Sequence, residues 1–353
     1  MSHINDNISK TITFSRFPLI FLIVLLHTIV LGQTYPRGID IPAGKYVLLD
    51  VVQFVSQREI GDLGVPAFFF ISGFLFFGMG KMDVYLWKGK LRKRVHTLLV
   101  PYLIWNTLFL LYYLVLSRFM DLSWGVKGQG ASVYLNAYLG FNESPFLSPL
   151  WFIRDLMVLN VLSLPAYYII KKTGYWLLPI FVLLFSMGIG YYLPYIGFRS
   201  VVPFFLGAWF AVNHISFIVE KNTNLLLMNV LFGALVFVVT IFHFHGIACW
   251  PLQQVELLIG IFTLFADFNY LLRKKYVGVN KKLADSSFFV FVAHMFIINI
   301  PNKLWVLFFT PSGITASLMQ WLIPILVSVL LFWIFIGLKG ISPKLMSVLI
   351  GGR

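Results

Sequence analysis

The chain has 353 residues, 59% hydrophobic and 11% charged, with a mean hydropathy of +0.86. Soluble domains run about 45–50% apolar and about 25% charged, so this composition excludes an ordinary soluble protein and predicts an all-α, polytopic integral membrane protein. The net charge of +14 does not make nucleic acid an expected partner, because positive charge in a membrane protein collects in cytoplasmic loops and meets lipid headgroups or soluble anions there. A single cysteine, Cys249, excludes an internal disulfide and a cysteine-built metal cluster.

The first apolar run, residues 15–31 (SRFPLIFLIVLLHTIVL), is long enough to span and has no small-residue cleavage site after it. It therefore reads as a transmembrane helix and not as a signal peptide. About ten segments of spanning length follow along the chain, near 14–33, 63–80, 97–117, 150–170, 175–193, 198–216, 225–243, 250–272, 285–308 and 317–338. They predict one transmembrane domain over 1–353, with a short N-terminal segment 1–13 and two longer outer loops, about 34–62 and 118–149. Most basic residues fall in one set of loops: Lys10, the 88–94 run, Lys171 and Lys172, Arg273 to Lys282, and the tail. The opposite loops hold Arg37, Lys45, Arg58, Arg118, Lys127, Arg199 and Lys303, partly balanced by acidic residues. An even span count and this one-sided charge predict that both termini are cytoplasmic. The second outer loop scatters Trp124, Tyr134, Tyr138 and Phe141 among small residues; an acceptor-binding surface and a solvated connector are both open readings.

Arg16 and His27 are the first chemistry-bearing pair. Eleven helical steps of about 100° make roughly three turns, so both share one face, roughly 16 Å apart along the axis. Arg16 is expected at the membrane surface and His27 near mid-bilayer. A polar group at that depth faces the protein interior or a wet cavity, either as a satisfied core histidine or as a general base that takes and returns a proton near neutrality. His294 is a second intramembrane histidine, expected to be supporting or structural. Lys90, Arg92, Lys93 and Arg94 read either as a cytoplasmic flank or as an anion site for phosphate. Arg154 and Asp155 project about 100° apart on a helix, so two readings are open: each pairs with another helix, Asp155 orienting a histidine or meeting a polar acceptor, or they serve a structural ion pair. Glu256 and Asp267 share one helix face, which keeps a proton path in view. Ser72 and Gly73 permit close helix approach or bring backbone near a ligand. No H-x-x-x-H or H-E-x-x-H spacing supports a metal, and no glycine-rich phosphate loop is present.

In their order these features resemble the membrane-bound acyltransferase-3 family. R-x10-H is Arg16 to His27; VPAFFFISGFLFF matches a VPxFFxxSG pattern; KLRKRVHTLLVPYLIWN leads a basic stretch into a proline-aromatic span; PLWFIRDL and SSFFVFVAHMFII follow. The resemblance covers essentially the whole chain. One departure is that the family's R-x-x-R reads Arg94-Val-His-Thr97 here, with Lys90, Arg92, Lys93 or His96 left to compensate. The resemblance implies O-acylation, usually acetylation, of a cell-surface glycan hydroxyl in the bacterial cytoplasmic (inner) membrane, by a stand-alone form without an added hydrolase domain. It implies acyl-CoA as co-substrate and no bound cofactor, a carbohydrate acceptor, His27 as general base or acyl relay with Arg16, and Lys90, Arg92, Lys93 and Arg94 on the donor. Ser72, Trp151, Arg154, Asp155, Glu256 and His294 are candidates for acceptor contact or support. A carrier or flippase for an anionic lipid or glycan intermediate is the competing reading of the same intramembrane charges.

Overall fold

The computed structural model describes residues 6–78, 81–119, 130–140, 144–186, 198–219 and 221–352. Its architecture is all-α: α1 (Asp6–His27), α2 (Val47–Phe54), α3 (Gly64–Phe77), α4 (Val84–Arg94), α5 (Val100–Leu116), α6 (Ala131–Leu139), α7 (Trp151–Thr173), α8 (Leu177–Ser186), α9 (Phe198–Val212), α10 (Asn222–Phe244), α11 (Trp250–Arg273), α12 (Lys281–Ile297), α13 (Asn299–Phe308), α14 (Gly313–Ile341) and α15 (Pro343–Leu349). The strands among the described residues are a two-residue antiparallel pair, β1 (Thr34–Tyr35) with β2 (Ile39–Asp40). With no water in a bilayer core, helices satisfy their own backbone, which is why an apolar sequence of this kind folds this way. Leu226, Leu227 and Phe237 of α10 are exposed, as a lipid-facing surface requires.

The spans differ from the hydropathy reading in four places. Seven helical stretches among the described residues are long and apolar enough to cross, or eight if the bent pair α12–α13 counts as one. The fourth and fifth expected segments lie in one helical stretch, Ser148–Ser186, interrupted where Gly174 leaves helical geometry (φ 55°, ψ −130°); residues 187–193 of the fifth lie outside the described residues. The sixth is α9, only 15 residues long. The ninth is broken between α12 and α13 by a bend of 52°. The region expected as the first outer loop carries α2, which runs on through wide and tight turns at Val55–Ile60 and Gly61–Leu63 into α3. Of the second loop's aromatics, Trp124 and Phe141 lie outside the described residues, whereas Tyr134 and Tyr138 sit on α6 against Phe146.

Capping residues set several helix starts. Asp83 accepts from Leu86 N at 2.8 Å before α4, and Asn280 accepts from Lys282 N and Leu283 N before α12. Ser312 and Thr315 form a capping box at the start of α14. α1 lies inside the bundle, packed against α3, α11, α12 and α14. α3 crosses α9 at the closest backbone approach, where a Cβ on Gly73 would collide with the Phe204 carbonyl and one on Gly207 with the Phe70 carbonyl. Helix pairs in membranes gain mostly from such close packing. Phe70 beside this crossing meets Phe210, Phe217 and Phe262 edge to face.

Gly207→Val is expected to force α3 and α9 apart and lower thermal stability in detergent by roughly 1–3 kcal/mol. Gly233→Val, on open α10 surface with nothing within 4 Å of an added Cβ, is the control expected to melt like the wild type.

Candidate functional site

α1 begins at Asp6 and ends at His27, so the helix is shifted toward the N-terminus of the expected 14–33 span. His27 is its last residue and Arg16 stands mid-helix, which corrects the expectation of an arginine at the start and a histidine inside. Hydropathy could not register this, because residues 28–31 are as apolar as the helix before them.

What ends the helix is a set of buried polar side chains. Gln53 Oε1 accepts from both Val30 N and Leu31 N at 2.9 Å. The Thr28 carbonyl accepts from Gln57 Nε2 at 2.5 Å and Gln320 Nε2 at 2.9 Å. Asn302 Nδ2 donates to the Ile29 carbonyl at 2.6 Å, and the Tyr35 hydroxyl to the Val30 carbonyl at 2.7 Å. Burial pushes the Tyr35 phenol up from its ordinary value, which keeps it protonated as a donor. None of these residues stood out in the sequence; lone amides inside helices carry no spacing signal until the fold aims them at one segment.

His27 and His294 lie together, ring centres 5.1 Å apart. His27 Nδ1 meets the Ile23 carbonyl at 2.8 Å, and His294 Nδ1 meets the Phe291 carbonyl at 2.7 Å. A carbonyl only accepts, so each Nδ1 carries a hydrogen, and in a neutral ring Nε2 is left with its lone pair. His294 is fully buried, and its Nε2 has no hydrogen-bond partner among the described residues.

A cavity of about 400 Å³ lies along the stripe Arg16, Ile20, Ile23 of α1, which continues to His27 at helical spacing. Ser72, Arg94, Asp285 and Phe291 also line it. Ile23 and Phe291, whose carbonyls hold the two rings, are therefore both in its wall. Among the described residues Arg16 makes no hydrogen bond or close ion pair, and the one carboxylate in the cavity wall, Asp285, is paired with Lys339 at 3.0 Å, so two guanidiniums face one shared carboxylate there. The basic run divides: Arg94 lines the cavity, Lys90 donates to the Phe76 carbonyl beside it, and Arg92 and Lys93 are exposed. Arg94 lies 5.7 Å from the Phe76 ring centre. Ser72 and Gly73 also divide, the serine to the cavity and the glycine to the α9 crossing.

Arg154 and Asp155 bond each other as well as other elements, so the expected pairing with a second helix is met by Asp155 and joined by a bond between the two neighbours. Arg154 curls back so that Nε and Nη2 reach Asp155 Oδ1 at 3.0 and 2.7 Å, while Nη1 donates to the Gly140 carbonyl. Asp155 Oδ2 accepts from Ser200 Oγ at 2.6 Å, tying α7 to α9. Trp151, one turn away, packs on Phe69. Glu256 and Asp267 do not meet. Asp267 accepts from Asn229 at 2.9 Å, and Glu256 lines a cavity with Glu59, a residue of the expected first outer loop. Among the described residues no group of three or more His, Cys, Asp or Glu could hold a metal.

A helical membrane bundle with an arginine-lined cavity, whose wall residues Ile23 and Phe291 hold two lone-pair histidines, defines a class of intramembrane site suited to an anionic co-substrate and proton transfer. The Acyltransferase domain family matches residues 11–337; the chain belongs to that family, and its long apolar helices make it a multi-pass membrane protein. It is also similar to the succinoglycan biosynthesis protein ExoH of Rhizobium meliloti (strain 1021), 30% identical over 161 residues that cover 44% of this chain and 42% of that protein. The matched stretch thus spans less than half of that relative. No solved structure matches.

Gln53→Leu would leave the Val30 and Leu31 amides without their acceptor at a buried position. The expected cost is about 1–3 kcal/mol for the unmet groups, read as a lower melting temperature in detergent, with acyl transfer falling further than stability alone requires.

Proposed function

We propose that the chain transfers an acyl group, acetyl being the preferred case, from acyl-CoA to a hydroxyl of a cell-surface polysaccharide or its lipid-linked precursor in the bacterial inner membrane. The observation that carries this reading is the arginine-lined cavity that runs down one stripe of α1 toward His27. Coenzyme A is a multiply charged cytoplasmic anion, and Arg16 with Arg94 offers it planar guanidinium donors. Both arginines lie toward the face to which the loop charges assign the cytoplasm. The polysaccharide acceptor is supported by the name of the succinoglycan relative and by family membership.

The histidines supply the base. With Nδ1–H held by the Ile23 carbonyl, His27 Nε2 is the free lone pair that accepts the acceptor hydroxyl's proton. The hydroxyl oxygen then bonds to the thioester carbonyl carbon, the tetrahedral intermediate collapses, and the C–S bond breaks. The departing thiolate takes the proton back from the imidazolium, so the products are the ester and the free thiol. His294 lies against His27 and steadies it, and the Ser72 hydroxyl in the cavity wall assists the developing oxyanion. Family membership favours this reading over a carrier.

His27→Ala, at normal membrane abundance, is expected to lose glycan acylation by about 10²-fold or more, measured as ester-linked acyl groups on surface polysaccharide. Full acylation by that variant would remove His27 from catalysis. Arg94→Ala is expected to raise the KM for acyl-CoA by about tenfold, whereas Arg92→Ala, which alters an exposed side chain, leaves it within about twofold.

A further inference from the structure

A second cavity, of about 300 Å³, lies among α2 and the turns that follow it, α9, α10 and α11. Glu59 and Asp62 come from the turns leading into α3, Arg199 opens α9, His243 closes α10, and Trp250 and Glu256 come from the first turns of α11. The turns that carry Glu59 and Asp62 pack on α1 near its His27 end, away from Arg16. Gly61 packs on α1 so closely that an added Cβ would stand 3.2 Å from Leu26 Cα.

The lining combines two kinds of surface. Trp250 offers a broad aromatic face, and Phe54 and His243 are stacked with ring centres 3.9 Å apart. Glu59 and Glu256 are 1% and 3% exposed, and both line the cavity. Glu59 Oε2 receives no N–H or hydroxyl donor from the described residues. Burying an acceptor unmet is costly, so its presence in a cavity wall marks a place for a ligand that donates. Arg199 is committed to Asp62 at 2.9 Å and to the Trp250 ring at 5.8 Å, leaving Arg58 as the second cation.

We propose that this cavity is the acceptor subsite and holds a neutral pyranose ring, an inference that rests on the acyl-transfer reading above. A sugar has an apolar C–H face for the aromatic rings and an edge of hydroxyls, each both donor and acceptor, for the carboxyls and Arg58. Three carboxyl groups against two guanidiniums disfavour an anionic sugar. The hydroxyl to be acylated then reaches His27 from the Asp62 side while the thioester arrives from the Arg16 side.

The test uses the full chain in lipid nanodiscs, with saturation-transfer NMR to neutral glucose and galactose trisaccharides and to a uronic-acid trisaccharide. The neutral sugars are expected to bind the wild type and His27→Ala alike. Trp250→Ala and the isosteric Glu256→Gln are expected to weaken them about tenfold or more without lowering the melting temperature of the Glu256→Gln protein. Absence of neutral-sugar binding, preference for the uronic acid, or equal binding by both variants would overturn the subsite. An unchanged acceptor KM in an acyl-transferring Trp250→Ala protein would also overturn it while acyl transfer stands. Trp250-dependent sugar binding by a wild type that transfers no acyl group would leave the subsite standing and remove the acyl-transfer reading.

Discussion

The early end of α1 is the constraint on which the site depends. Once the helix stops at His27, the backbone of residues 28–31 loses its own hydrogen-bond partners inside a packed bundle. Buried amides and carbonyls must then be met by something else. Gln53, Gln57, Asn302, Gln320 and Tyr35 meet them, drawing α2, the following turn, α13 and α14 onto one short segment. The helix end places His27 beside His294, and the break between α12 and α13 follows His294 within one turn. Two interrupted helices thus bring their polar ends to one point, where irregular backbone is tolerated because it is enclosed by protein.

Around that point the bundle is polarised. One cavity contains Arg16 and Arg94 with little to balance them, which suits a phosphate-bearing co-substrate. The other contains three carboxyl groups, two arginines and aromatic faces, which suits polar but uncharged chemistry. The close α3–α9 crossing at Gly73 and Gly207 holds these regions in register, because α3 lends Ser72 to the first cavity while the turn before it lends Asp62 to the second. Packing and chemistry are therefore coupled through one helix.

The legible part of the site was whatever obeys a local period. Arg16 and His27 could be aligned because both lie on one helix, and the Arg16–Ile20–Ile23–His27 stripe has that spacing. The run 88–94 could be recognised as basic, but not divided into a cavity-lining Arg94 and exposed Arg92 and Lys93, since that depends on how α4 is rotated against α3 and α7. Spacing left two readings open for Arg154 and Asp155, and both hold, because a long guanidinium side chain can fold back where short side chains at adjacent positions cannot. The span count was least secure where helices are broken or short, at Gly174, in α9 and between α12 and α13, since a hydropathy window averages over a break.

By itself the sequence determined the all-α membrane class, the face shared by Arg16 and His27, and the ordered motifs of the acyltransferase family. These are properties of composition and of short-range helical geometry, which a chain carries wherever it folds. Only the tertiary structure decided that His27 ends its helix, that His294 is its neighbour, and that Glu59 and Glu256 line one cavity. Those pairings join residues up to 267 positions apart (His27 to His294), and no local period encodes which buried polar groups find one another once the helices pack.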